Sequence, residues 1–243
     1  MRSLGRLSWV WLLKTRTKTN KQVGYLTNYS SGLEGDRGIF FNYILAGNGL
    51  FIEASNRSLS ARIPVSDCPI RGLAPLKPRI TLTYGSIPQR FFDLALDTFL
   101  AAPDKENYVG VTADAGYNFY VPPQQQEENK VVYDVGSSVI LDIHSHGTMH
   151  AFFSPQDNKD ETGFQLYAVV GDLRKVPVVL LRVGVYGYFY YLKWKEVFDG
   201  TLYVAREPEY EEVLEDDVHD SVERPLEEPE VRSNGMWWSK WFK

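Results

Sequence analysis

Cysteine is almost absent: Cys68 is the only one among 243 residues. No intrachain disulfide can form, and a zinc site built on cysteines is excluded. A single thiol suits a reducing compartment, so a cytoplasmic location is expected. Long apolar runs are also missing, and no stretch reaches the ~18–20 residues that a membrane span needs. Leu7–Leu13 is apolar and follows Arg2 and Arg6, but Lys14, Arg16, Lys18 and Lys21 stand where a small-residue cleavage site should be. A secretory leader is therefore not expected. Positive charge is in deficit, with 26 Lys and Arg against 31 Asp and Glu and a pI near 5.5. That balance argues against a general nucleic-acid binder. No Rossmann or P-loop glycine signature is present.

What remains is ordinary globular composition, 44% hydrophobic and 23% charged, on a chain long enough for a core that needs no staples. Charge is segregated along it. Residues 1–22 carry six Lys or Arg and no acid, and residues 205–232 carry twelve acids against three Arg. Five of the six tryptophans (Trp9, Trp11, Trp237, Trp238 and Trp241) sit near the ends. The closing MWWSKWFK suits a membrane surface, a partner groove or packing on its own domain. Four regions are expected: a basic segment 1–22 whose composition permits disorder, a small β-rich unit 23–86, an α+β domain 87–204, and a disordered tail 205–243.

Within 23–86, residues 38–46 and 50–54 are strand-like and flank Asn48-Gly49, a hairpin signal. Leu59–Val65 reads as a further strand, and Pro75, Pro78 and Pro88 read as loop breakers. Residues 87–102 have helical spacing at Phe91, Phe92, Leu94, Leu96, Phe99 and Leu100, and Pro103 ends them. Asn107–Thr112 and Tyr117–Val121 read as an antiparallel pair, 122–130 as a polar loop, and Lys130–Asp134 and Ser137–His146 as strands. Residues 155–168 look helical. Val176–Val183 and Val185–Leu192 look like strands, with Gly184 and Gly187 easing a turn or bulge.

The chemistry concentrates in Leu141–Glu161. His144 and His146 are two apart on an expected strand, so both imidazoles leave one face. Seven residues separate His146 from Ser154, and Asp157 follows three later. Ser154-Pro155-Gln156-Asp157 is also a good helix start, with a capping serine, proline at the first helical position and an acid facing the free amides. The two readings are compatible. A helix entering beside the strand end would project Asp157 toward the imidazoles. Two His and one Asp would hold Zn2+ and leave a fourth position open.

His-x-His followed at this spacing by Ser-x-x-Asp resembles the motif of the JAMM (JAB/MPN) zinc metalloproteases, H-S/T-H-x7-S-x-x-D, at every defined position. The strings AGNGLFIEA, IRGLAPL and LYAVVGDL with LRVGVYGYFYYL are similar to a bacterial JAB-domain family, the PRTRC system protein A family, over about 38–200. The resemblance implies a JAB/MPN-like (cytidine-deaminase-like) mixed sheet with flanking helices, and a zinc-dependent isopeptidase with His144, His146 and Asp157 as ligands. It implies that Ser154 donates a hydrogen bond to the developing oxyanion. It also implies an upstream glutamate that moves the proton of the attacking water. Glu106 fits best, although Gly110 is four residues after it where family members often have three; Glu127 and Glu128 are the alternatives. Gly147 stands where many members have proline. His150 and Asp142 lie nearby, Asp142 on the strand face of the histidines.

The partners so implied are a bacterial ubiquitin-like protein or its conjugates, with E1-like or E2-like proteins of the same gene set. Two other readings stay open. One is a non-catalytic JAB/MPN interaction module, which the terminal tryptophans and acidic tail favour. The other is a cupin-type metal protein using His144, His146 and His150, which lacks the acid such a site wants shortly after His-x-His.

Overall fold

A computed structural model describes residues 21–122, 124–127, 130–133 and 139–208, with the backbone alone for the segments between 123 and 138. The basic segment up to residue 20 and the tail from 209, with all five terminal tryptophans, lie outside the described residues, as does Glu128.

The first sheet is built from β1 (Val23–Tyr29), β2 (Gly32–Asp36), β3 (Phe41–Ala46), β4 (Gly49–Ser55), β5 (Leu59–Asp67) and β6 (Arg79–Leu82), in the order β2-β1-β3-β4-β5-β6. Only β1 and β3 run parallel; the other neighbours are antiparallel. Strand alternation is visible in β5, where Leu59, Ala61 and Ile63 are buried and the residues between them are not. The expected hairpin forms with its turn one residue earlier. Ala46 pairs with Gly49, leaving Gly47-Asn48 as the two-residue turn. β6 occupies part of the stretch that the prolines marked as loop.

Helix α1 (Gln89–Leu100) follows. It buries Phe91, Phe92, Ala95, Leu96 and Phe99, each burial worth up to about 1.5–3 kcal/mol for the larger side chains. Leu94 and Leu100, expected on the apolar face, are 46% and 38% exposed. The helix has no side-chain cap of its own; Asp199 Oδ1 accepts from Gln89 N at 2.8 Å instead.

The second sheet holds β7 (Tyr108–Ala113), β8 (Tyr117–Tyr120), β11 (Val139–Ser145), β12 (Phe164–Gly171), β13 (Val178–Val185) and β14 (Tyr188–Leu192), in the order β14-β13-β12-β11-β7-β8. β9 (Gln124–Glu127) and β10 (Lys130–Tyr133) form a separate hairpin. β9 lies in the stretch expected to be loop. Again one pair is parallel, β11 with β12. The architecture is therefore mixed α/β with two mixed sheets and few helices.

The expected helix over 155–168 is a correction. α2 (Pro155–Asp160) ends after six residues, and the chain crosses Gly163 into β12. Leu166–Gly171 is buried on both faces of the sheet. A continuous apolar run has no periodicity to separate helix from strand, and the helix-start signal carries no information on length. β13 and β14 meet at Tyr186-Gly187, both with positive φ (50° and 88°), as a tight hairpin requires. Gly184 is not at the turn. It sits inside β13, where a Cβ would stand 2.6 Å from Tyr167 Cε2.

One main core serves both sheets. Ile52, Ala54 and Ile63 of the first belong to the same buried cluster as Val109, Leu166 and Val183 of the second. The Tyr43 and Tyr188 hydroxyls bridge the sheets at 3.0 Å. Trp194 and Val197 of α3 (Trp194–Val197) seal the end against α1, with Phe92 4.7 Å from Trp194. A smaller cluster of Ala151, Val169, Val178 and Leu180, with Phe153 and Tyr191 against it, anchors the loop that leads into α2.

Candidate metal centre

The site forms at the carboxyl end of β11, where parallel β11 and β12 finish together. Such strand ends commonly open a crevice beyond the sheet. His144 lies in register with Val169 and Tyr108 on either side. His146 follows the last strand residue, and its N–H donates to Val170 O at 2.8 Å. The two rings lie 5.2 Å apart between centroids.

Asp157 comes from α2. Ser154 caps that helix: its Oγ accepts from Asp157 N at 3.1 Å, and Asp157 Oδ2 accepts from Ser154 N at 2.6 Å. The reciprocal box turns the carboxylate back toward β11. Asp157 Oδ1 is 3.7 Å from His144 Nε2, and Oδ2 is 3.7 Å from His146 Nε2. The cap and the approach of Asp157 to both imidazoles thus occur in one motif. Because Ser154 Oγ accepts in the cap, its own proton stays available for a further acceptor.

The donor set fits a divalent cation. The ligand atoms of His144, His146 and Asp157 all fall within 4.8 Å of one another. Ligands of a tetrahedral zinc stand about 3.3–3.5 Å apart, from bonds of about 2.0–2.2 Å. Among the described residues, His144 Nε2 is buried without a hydrogen-bond partner, as is His146 Nδ1. Buried polar atoms are rarely left unpaired.

Electrostatics separate the two rings. Burial opposes charge on His144, but the Asp142 carboxylate and the charges of Asp157 and Glu161 outweigh it and lift that imidazole to about 9. Burial and the neighbouring His144 push His146 down to about 4. Asp142 Oδ1 lies 3.7 Å from His144 Nδ1, and the residue is 3% exposed.

Glu106 sits in the turn between α1 and β7. Asn107 fixes that turn, its N–H donating to Ser145 Oγ at 3.1 Å and its Nδ2 to Lys105 O at 3.0 Å, while Ser145 N donates to Asn107 O at 2.9 Å. Gly147 makes close approach possible: with φ at +61°, its Cβ would stand 2.9 Å from Pro103 O. Glu106 is half-buried. Burial raises its carboxyl above the usual range, His144 pulls the other way and Asp157 adds to the rise. The side chain therefore shares the electrostatic environment of the cluster. Glu127 lies in β9, apart from the second sheet's pairing. His150 is exposed and packs on Phe152 at 4.9 Å; Asp157, not His150, completes the cluster. That placement removes the basis of the three-histidine reading.

Sequence reasoning missed the support behind α2. Arg182 of β13 is 2% exposed and donates Nη1 to Asn158 Oδ1 at 2.7 Å and Nε to Glu161 Oε2 at 3.0 Å, with Nη2 on the same carboxylate oxygen. A signal was available: Arg182 is the one charge in VPVVLLRVGV, and a buried charge needs partners.

Residues 96–183 match the family model described as prokaryotic homologs of the JAB domain. The match starts inside α1 and ends inside β13, so it contains Glu106 and the whole cluster and leaves β1–β6 outside. No curated protein matches the chain.

Proposed function

We propose, from the premise that residues 96–183 match the prokaryotic JAB-domain family, that this chain is a zinc-dependent isopeptidase or peptidase. Its proposed substrate is a bacterial ubiquitin-like protein or a conjugate of one, handled alongside E1-like or E2-like proteins. The observation that carries the reading is the convergence of His144, His146 and Asp157, with Asp157 3.7 Å from the Nε2 of each ring and His144 Nε2 buried without a hydrogen-bond partner among the described residues.

His144, His146 and Asp157 would hold the metal. Zinc in such a site supplies a Lewis acid and acidifies a water to a pKa of about 7. The chain's own groups do the rest. Glu106, half-buried and with a raised carboxyl, takes a proton from the attacking water and returns it to the departing amine. The Ser154 O–H donates to the oxyanion that develops on the scissile carbonyl. The Asp142 carboxylate, 3.7 Å from His144 Nδ1, favours the ring orientation that leaves Nε2 toward Asp157. An extended substrate tail would lie beside a sheet edge, paired through its main chain.

The test is Glu106→Gln, assayed on a ubiquitin-like protein joined through its C terminus to a lysine side chain. Cleavage falls by about 10²–10⁴-fold while zinc content stays at the wild-type level. Unchanged cleavage removes Glu106 from the mechanism. A folded wild-type protein that takes up no zinc turns the reading to a non-catalytic interaction module.

A further inference from the structure

The mechanism above uses the residues that face the metal. It leaves unexplained a buried arginine of β13 that bonds to α2 and its C-cap. Arg182 and Glu161 are 2% and 8% exposed. Taking both charges out of water is costly, and an apolar pair of similar volume would be as stable or more so. Stability alone is therefore a poor reason for the pair.

Its contacts converge on the segment that presents Asp157. Arg182 Cζ lies 3.6 Å from the centroid of Phe153 and 3.8 Å from that of Phe189. Phe153 directly precedes the cap of α2, and its ring is 6.4 Å from that of His144. The guanidinium fork also grips Asn158, one residue after Asp157, and Glu161, whose N–H donates to Asp157 O at 2.8 Å. α2 has only six residues and buries none of them. Such a helix has little packing to hold it in place. Arg182 grips it before and after Asp157, from a strand buried along its length.

We infer that Arg182 is a positioning residue for the metal: through Phe153, Asn158 and Glu161 it holds α2 at the distance from which Asp157 closes the site on His144 and His146. The inference rests on the proposed zinc reading. It assigns Arg182 no contact with substrate. The planar, forked guanidinium is required, because it stacks on rings and grips two side chains at once.

The test measures Zn2+ affinity of the full chain by competition with a chromogenic chelator, and the visible absorption of the Co2+-loaded protein. Arg182→Met keeps the bulk and removes the fork. It weakens Zn2+ binding by about 10–100-fold, the usual loss when a partner behind a metal ligand is removed, and alters the Co2+ bands as Asp157 withdraws. Arg182→Lys, which keeps charge without the fork, recovers only part of the affinity. A purely structural role predicts a lowered melting temperature with unchanged Zn2+ affinity and unchanged Co2+ bands, and that result overturns the inference. Should Arg182→Met fail to fold, Asn158→Ala, on the solvent-facing short helix, reads the same grip. A loss of affinity there supports it and wild-type affinity in Asn158→Ala contradicts it. Wild-type protein that binds no Zn2+ defeats the zinc reading itself; wild-type and Arg182→Met proteins that bind it equally defeat only the role of Arg182.

Discussion

Both sheets have six strands with one parallel pair, and both carry buried polar groups, but they treat those groups differently. In the first sheet the buried amides are paired. Asn28 Nδ2 donates to Ala74 O at 2.8 Å and Asn42 Oδ1 accepts from Gly38 N at 2.8 Å. Glu53 accepts from Arg37 and from Arg62, each at 2.9 Å. At the carboxyl end of β11 in the second sheet, two imidazoles keep a buried nitrogen without a partner. The first arrangement spends its polar groups on holding the sheet together. The second leaves His144 Nε2, 3.7 Å from Asp157, unspent inside a folded domain, at a cost of about 1–3 kcal/mol, which makes sense where a ligand supplies the missing bond.

Zinc itself is the strongest way to sharpen that contrast. At about 1,000 times its dissociation constant it should stabilise the wild-type chain by about 4 kcal/mol. The gain should vanish in Asp157→Ala and persist in any variant confined to the first sheet. Denaturation with and without zinc measures it.

Removing one polar side chain from each sheet should next give opposite signs. Asn28→Ala takes its amide donor from Pro75 O and from Ala74 O, the latter keeping Gly47 N, and lowers stability by about 1–3 kcal/mol. His146→Leu removes an unpaired buried nitrogen and raises metal-free stability by about 1 kcal/mol, while abolishing zinc binding. Equal signs for the two variants would erase the contrast.

A smaller effect tests the approach of Glu106. Gly147→Ala places a Cβ at positive φ and close to Pro103 O. It costs about 1–2 kcal/mol and shifts the 103–106 turn, so turnover falls further than zinc affinity does. Equal losses of both would place the damage at the ligands.

The smallest effect belongs to Glu53. Burial alone would raise its carboxyl, but the hydrogen bonds from Arg37 and Arg62 prevail and hold it below 4.5. A lowered folded value means stability that is present above the ordinary carboxylate range and is lost as pH falls through the folded value. Wild type should therefore exceed Glu53→Gln by about 1 kcal/mol at neutral pH, with the gap closing only below pH about 4.5. A gap that persists at pH 3 would mean that charge is not its source.

The site was legible where its geometry is local. His144 and His146 share a face because strands alternate, and Ser154 and Asp157 meet because a capping box spans three residues. Glu106 was legible only through resemblance, since its nearness to His144 depends on β7 pairing with β11. The end of α2 was misread because its start signal was followed by an apolar run without period. The role of Arg182 depends on partners 21 and 24 residues away, which spacing does not reveal. The parallel pairing of β1 with β3 is likewise a matter of topology rather than pattern.

The most direct test of the central claim is zinc K-edge X-ray absorption on the metal-loaded full chain. The account predicts a first shell of only nitrogen and oxygen at about 2.0–2.1 Å, with the multiple scattering of two imidazoles that disappears stepwise in His144→Ala and His146→Ala. A sulfur shell at about 2.3 Å, which only Cys68 or a methionine could supply, or a shell without imidazole scattering, would contradict it.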